Sequence, residues 1–260
     1  MTFPIPTAEA KKLGLPGSDV YRHSAFIYFD DHHRHWAAIR LNIEAVKAFS
    51  DTIVIAQRKT LAAHQVELAS WMAKGALAAG LAPPWNEAWH DEMEYMNYEH
   101  LKLACGFELH LKARLISRGF VVHRIAQDES AFKALAKRQE KAPVLISDLL
   151  AVRGFEFDGK NNFLPGIEEV SLKFSWLTDR PGYRLASGLS DTELDVIRDY
   201  RTLRNQIHLP GDLPHTPALH ALGQPRIEFL LPFINREIVE WSNKVSSDRG
   251  MRFRRLPAFD

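Results

Sequence analysis

Two long stretches of this chain, His35 to Gly80 and Asn86 to Arg118, contain no proline, and the sequence LAPPWNEAW separates them. Proline in a helix interior removes an amide donor and clashes with the preceding turn, so these stretches leave room for long helices and the proline pair marks a break. In the first, Ile53, Leu61, Leu68 and Trp71 recur at helical spacing, which predicts one long helix or two nearly continuous ones. The second ends at Gly119, a favoured helix stop. Two long antiparallel helices are implied.

Beyond them, a short helix is expected over Glu129 to Lys141, and APVLISDLLA begins at a proline and offers another. Between Arg153 and Leu189 the pattern changes: Val170, Leu172, Phe174 and Trp176 alternate with Ser171, Lys173 and Ser175, the period of a strand. With FEFDGKNNFLPG before it, this region reads as a loop-rich insertion that can hold a β-hairpin. Ser190 and Glu193 then have the spacing of a capping box, and Leu189 and Leu194 that of a hydrophobic staple, so a helix starts there and closes at Pro210 and Gly211. A last helix follows GQPR, with Ile227, Leu231, Ile234, Ile238, Trp241 and Val245 as its apolar stripe and Pro232 as a kink. The fold class is therefore mainly α, an antiparallel helical bundle carrying that insertion.

With 260 residues, 46% of them hydrophobic, the chain can bury a sizeable core. A formal charge of +1 supplies no global field for nucleic acid, so any anion site must come from local clustering of Lys and Arg. The single cysteine, Cys105, cannot form an intramolecular disulfide. The N-terminus lacks a secretory core, and no apolar run approaches the roughly 18 residues that suggest a membrane span. A cytoplasmic protein with no membrane partner is expected.

Two constellations can carry chemistry. The first is the run Arg201-Thr-Leu-Arg204-Asn205-Gln-Ile-His208 at the end of its helix. Projected at about 100° per residue, Val196, Tyr200, Leu203 and Ile207 form one stripe, the expected core face. Arg201, Arg204 and His208 share another face with Leu194 and Ile197, so that face is expected to meet another chain or another helix. The simpler reading is a charged last turn that satisfies terminal carbonyls and the macrodipole.

The second is in HLKLACGFELHLKARLISRG, where Leu101, Ala104, Phe107, Leu111 and Leu115 form an apolar face with Glu108 inside it. A buried carboxylate needs a partner. Either Arg201 or Arg204 supplies it from another element, or Lys112 does so at i,i+4 on the same helix.

At these residues the chain resembles a known family. The run GFELHLKARLISRGFVVHRI, with Glu108, Lys112, Gly119 and His123, is similar to the second helix and following loop of HEPN domains, the higher eukaryotes and prokaryotes nucleotide-binding superfamily. YRTLRNQIHLPG is similar to their motif helix, in which an Arg, often followed by Asn, lies four to six residues before a His. Six residues separate Arg201 from His208, whereas Arg204-Asn205 supplies the Arg-Asn pair with only three residues before His208. Either Arg201 is the motif arginine and its Asn is lost, or Arg204-Asn205 is a shortened variant.

The resemblance implies a metal-independent endoribonuclease without cofactor, with Arg201, Arg204, Asn205, His208 and Glu108 as catalytic residues and Lys112 binding substrate. It also implies RNA as partner, a homodimer with the site at its interface and Leu194 and Ile197 within that interface, and a place in a toxin–antitoxin or antiphage system, where an antitoxin or other protein partner is expected. The alternative is a non-catalytic HEPN-like module that binds RNA, nucleotide or a protein. On this reading residues 1–85 are an N-terminal segment and long helix packing on the core, 86–248 are the HEPN-like core with its insertion at about 153–189, and 249–260 are a basic tail.

Histidine suits proton transfer near neutral pH, and guanidinium groups suit a phosphate on which charge develops. In the tail, Arg249, Arg252, Arg254 and Arg255 surround Phe253, a pattern that can hold RNA phosphates or simply form a solvated terminus. Asp30, Asp31, His32, His33 and His35 offer metal ligands, but adjacent residues point apart and a metal needs converging groups. Glu87 and His90 have the spacing of a di-iron motif without a second copy, so no metal is expected.

Overall fold

The computed structural model describes residues 38–48, 66–67, 69–75, 79–80, 87–128, 130–153, 166–207 and 224–249. Helical residues 38–48 (α1) and 69–73 (α2) fall in the first proline-free stretch. Glu87–Ser117 is the long helix α3, followed by strand β1 (His123–Ile125), helices α4 (Lys133–Gln139) and α5 (Ile146–Arg153), strand β2 (Ile167–Ser171), short helices α6 (Phe174–Asp179) and α7 (Pro181–Ser187), α8 (Asp191–Ile207) and α9 (Gln224–Arg249). The described residues are mainly helical, as the proline pattern implies. None of their helices is long and apolar enough to cross a membrane.

The chain forms two units. Of the described residues, those up to Leu41 and from Glu108 to Arg198 form the first, and those from Asn42 to Phe107 and from Asp199 onward form the second.

In the first unit, α3 is buried without interruption from His110 to Ile116, so Lys112 and Arg114 are enclosed together with Leu111 and Leu115. A helix covered on all sides must find polar partners for its polar residues. Arg114 Nε donates to the Ser187 carbonyl across 2.8 Å, and Arg118 Nη1 to the same oxygen across 2.7 Å, so two guanidinium groups satisfy the end of α7. The helix stops where expected, with Gly119 in the left-handed region at φ 83°.

The sheet is small. β1 and β2 pair antiparallel with His123 opposite Ser171 and Ile125 opposite Ile167, and the unequal spacing makes β2 bulge. On the other side of β1, the buried Gln139 side chain accepts from the Ile125 amide at 2.9 Å and donates to the His123 carbonyl at 2.8 Å, replacing a third strand there. The Tyr183 hydroxyl donates to the Gln139 carbonyl at 2.8 Å, and burial pushes this phenol well above its usual range.

The period-two pattern holds only for part of its length. β2 ends at Ser171, and Phe174 and Trp176, which continue the alternation, lie on α6. Among the described residues the strand's partner is β1, more than forty residues earlier. FEFDGKNNFLP lies outside the described residues.

α8 begins as its sequence dictates. The Ser190 amide donates to Glu193 Oε2 at 2.8 Å and the Glu193 amide to Ser190 Oγ at 3.3 Å, a reciprocal capping box. In the second unit the end of α8 rests on aromatic side chains: the Tyr200 ring lies 5.4 Å from that of Phe107, and Phe107 6.3 Å from Phe233 on α9. The buried stripe of α9 is Leu230, Phe233, Ile234, Glu237, Ile238 and Trp241, so the expected Ile234, Ile238 and Trp241 are joined by a carboxylate, 2% exposed and paired with Arg236 at 2.8 Å. Pro232 lies inside this helix on its exposed side, where a missing amide bond is tolerated by water.

Candidate functional site

The two halves of the expected site belong to different units, and each has its own surroundings. Arg201, Arg204 and Asn205 lie on the part of α8 in the second unit, and Glu108 and Lys112 on the part of α3 in the first. His208, Arg252, Arg254 and Arg255 lie outside the described residues, as do Asp30, Asp31, His32, His33 and His35. Arg249 is the last residue of α9.

On α8, Tyr200 and Leu203 are buried as the stripe predicts, but Val196 is only half-buried and Leu194 and Ile197, expected on the other face, are buried instead, so the core side of the helix is turned from the expected one. That rotation leaves Arg201 and Arg204 half-buried and Thr202 and Asn205 exposed. Residues three apart on a helix are surface neighbours, so the two guanidinium groups flank one ridge. The Arg201 Nε atom is buried, and a cation partly removed from water acts more strongly on an anion than one in full solvent. His100, unnoticed in the sequence, stacks on the Tyr200 ring with centroids 6.2 Å apart and planes at 25°. It places an imidazole beside the residue that precedes Arg201. Only the one-turn repeat His100, Ala104, Phe107 on α3 signals it in sequence.

Leu194 and Ile197 require a correction. Each is 1% exposed within the single chain, so neither is available to an interface between two copies. The chain itself covers both side chains.

Around Glu108, the i,i+4 pair forms: Lys112 Nζ lies 2.6 Å from Glu108 Oε1. The carboxylate is half-buried, and the ammonium is the more enclosed partner. Lys112 Nζ also donates to Ser171 Oγ at 2.9 Å, a link from α3 to β2 that no local sequence spacing announces. His123, opposite Ser171 in the ladder, has its pKa lowered to about 4 by burial and, secondarily, by the Lys112 charge. A proton-transfer group works best with a pKa near the operating pH, so His123 is a neutral imidazole held in place rather than a shuttle. With its charge shared between Glu108 and Ser171, Lys112 fits a structural clasp better than a contact for substrate phosphate.

Among the described residues, no group of three or more His, Cys, Asp or Glu side chains is arranged to hold a metal ion. Cys105 is exposed on α3. No protein-family model, curated protein or solved structure matches this chain.

Proposed function

We propose that this protein is a metal-independent endoribonuclease of the HEPN kind, acting in the cytoplasm as a homodimer, in a toxin–antitoxin or antiphage setting. The observation that supports this reading best is the seating of α8: Tyr200 and Leu203 are buried while Arg201 and Arg204, half-buried, flank one ridge with Asn205 exposed beside them. His208 follows Ile207, the last residue of α8, in the sequence.

In the reaction proposed, a ribose 2′-hydroxyl attacks the adjacent phosphorus, and the bond to the 5′-oxygen of the next nucleotide breaks. This leaves a 2′,3′-cyclic phosphate and a 5′-hydroxyl. His208 takes or returns the proton. Arg201 or Arg204 holds the equatorial phosphate oxygens as negative charge builds on them, and Asn205 orients the substrate. Glu108, paired with Lys112, is given an orienting role. Since Leu194 and Ile197 are buried in the chain, a dimer would use the exposed flank of α8 around Thr202 and Asn205.

The test is cleavage of mixed RNA in excess chelator by the wild type and by His208→Ala, Arg201→Ala and Arg204→Ala. Loss of cleavage with His208→Ala, and cyclic phosphate ends from the wild type, are expected. Equal cleavage by wild type and His208→Ala would remove the proposal. The three-residue interval between Arg204 and His208 favours one other reading, a module that binds RNA, nucleotide or protein without cutting. Binding that survives in His208→Ala, with no cleavage by either protein, is its signature.

A further inference from the structure

The near-zero net charge hides a local concentration of cations in the first unit. Residues 133–142, KALAKRQEKA, hold four basic residues and one acidic residue, a balance of 4 − 1 = +3. Lys133, Lys137 and Lys141 are all exposed. They follow one another at intervals of four, the spacing that lines side chains up along a single helix face. α4 ends at Gln139, but the helical path continues through Lys141: the Glu140 amide donates to the Ala136 carbonyl at 3.2 Å and the Lys141 amide to the Arg138 carbonyl at 3.0 Å. Successive lysines are therefore about 6 Å apart along the axis.

Local stability accounts for only part of this row: Lys137 in the last turn and Lys141 just beyond it suit the macrodipole, whereas the even spacing and Lys133 are not explained by it. Like charges at i,i+4 repel. Lys133 stands in the first turn of α4, where the macrodipole disfavours a cation and where there is no acidic residue to offset it. Arg138, on a different face, is paired with Asp148, whereas none of the three lysines forms an ion pair with a described residue.

The row ends against a planar stack. The Arg180 guanidinium carbon lies 3.7 Å from the centre of the Trp176 ring, and the same side chain donates to the Glu140 carbonyl, next to Lys141. A Cβ placed on Gly182 would come within 2.8 Å of the Lys141 carbonyl oxygen, so the start of α7 lies directly on the end of the row. Both Trp176 and Arg180 are half-exposed.

We propose that Lys133, Lys137 and Lys141, with the Arg180–Trp176 stack at their end, form a binding surface for single-stranded RNA. Evenly spaced ammonium groups follow a phosphate backbone, and an aromatic or guanidinium plane receives an unpaired base. An anionic membrane suits the same charges less well. A membrane-surface helix needs large apolar side chains on its other face, and on α4 Leu135 is half-buried while Ala136 is buried. The inference shares with the proposed function only the class of partner, RNA, and does not depend on cleavage.

The experiment uses the full chain, a dye-labelled single-stranded 2′-O-methyl RNA that cannot supply the attacking hydroxyl, and fluorescence anisotropy across a salt series. The wild type is compared with the triple variant Lys133→Gln/Lys137→Gln/Lys141→Gln, with Lys74→Gln as a control at an exposed lysine of the second unit. The triple variant is expected to bind at least about tenfold more weakly. Its log K against log salt slope should fall by about 2, since each phosphate that a lysine neutralises on a single strand adds about 0.7. The control should match the wild type.

Unchanged affinity and slope in the triple variant would overturn the inference, as would failure of the wild type to bind RNA. Lysine-dependent capture of phosphatidylserine vesicles without RNA binding would reassign the row to a membrane and overturn it too. RNA binding that needs these lysines, in a protein that never cleaves, would leave this surface standing and remove only the nuclease reading.

Discussion

Lys112 Nζ on α3 donates to Ser171 Oγ at the end of β2 across 2.9 Å, and the same ammonium holds Glu108 at 2.6 Å. One buried cation thus joins the long helix to the outer strand of the sheet. Lys112→Met keeps the aliphatic stem and removes three donors, leaving a half-buried carboxylate and a hydroxyl with less compensation. A loss of about 1–3 kcal/mol in chemical denaturation is expected, against about 1 kcal/mol for Ser171→Ala. If Lys112→Met is as stable as the wild type, the clasp is ornamental.

The same cluster makes stability depend on pH. His123 has a folded pKa of about 4 against 6.5 unfolded. Between those values the unfolded chain takes up a proton that the folded chain resists. Its contribution is therefore complete above about pH 6.5 and is lost as the pH falls towards 4. A shift of this size corresponds to on the order of 3 kcal/mol. His123→Gln should flatten the stability profile over this window. In an NMR titration, Lys112→Met should raise the His123 pKa only part of the way, since burial is the larger cause. A His123 that titrates near 6.5 in the folded wild type would contradict this account.

Two glycines with positive φ should respond differently to alanine. At Gly166, φ is 77° and a Cβ would lie 2.6 Å from the ring of Phe132, which is fully buried and has no room to retreat. At Gly75, φ is 66° and nothing lies within 4 Å of the added carbon. Gly75→Ala should cost only the left-handed backbone penalty, about 1–2 kcal/mol. Gly166→Ala adds overpacking of about 1–3 kcal/mol to that penalty. Equal thermal shifts for the two variants would count against the Phe132 contact.

Some of this architecture is legible in the sequence because it is local. A serine three residues before a glutamate specifies its own hydrogen bonds, and the box at Ser190 and Glu193 forms accordingly. Ser190→Ala should cost about 1 kcal/mol, with Ser190→Asp recovering most of it. Long-range relations are not legible in this way. Nothing in the α3 sequence points to Ser171, 59 residues from Lys112, because that link exists only once β2 has paired with β1. The alternation from Val170 to Trp176 looks like one strand, yet Phe174 and Leu177 are buried by a helix, which places residues three apart on the same side just as readily. Leu194 and Ile197 are plainly apolar, but a sequence does not state whether a neighbour is the same chain or a copy. The lysine row has no motif of its own, because its meaning depends on exposure and on the absence of acidic partners among the described residues.

The support beneath the motif can be tested through Phe107. Its ring packs against Tyr200, the residue before Arg201, and against Phe233 on α9, and it is fully buried. Phe107→Ala should destabilise the protein by about 3–5 kcal/mol through reduced burial and a cavity. The cavity lies against Tyr200, so the end of α8, which carries Arg201 and Arg204, is less firmly held. On the proposed ribonuclease reading, RNA cleavage at a temperature where the variant remains folded by circular dichroism should fall by about tenfold or more, since a misplacement of about 1 Å can cost that much. Phe107→Leu, which refills most of the space, should restore both properties in large part. A folded Phe107→Ala protein with full cleavage would show that the aromatic cluster supports the fold without positioning the arginines.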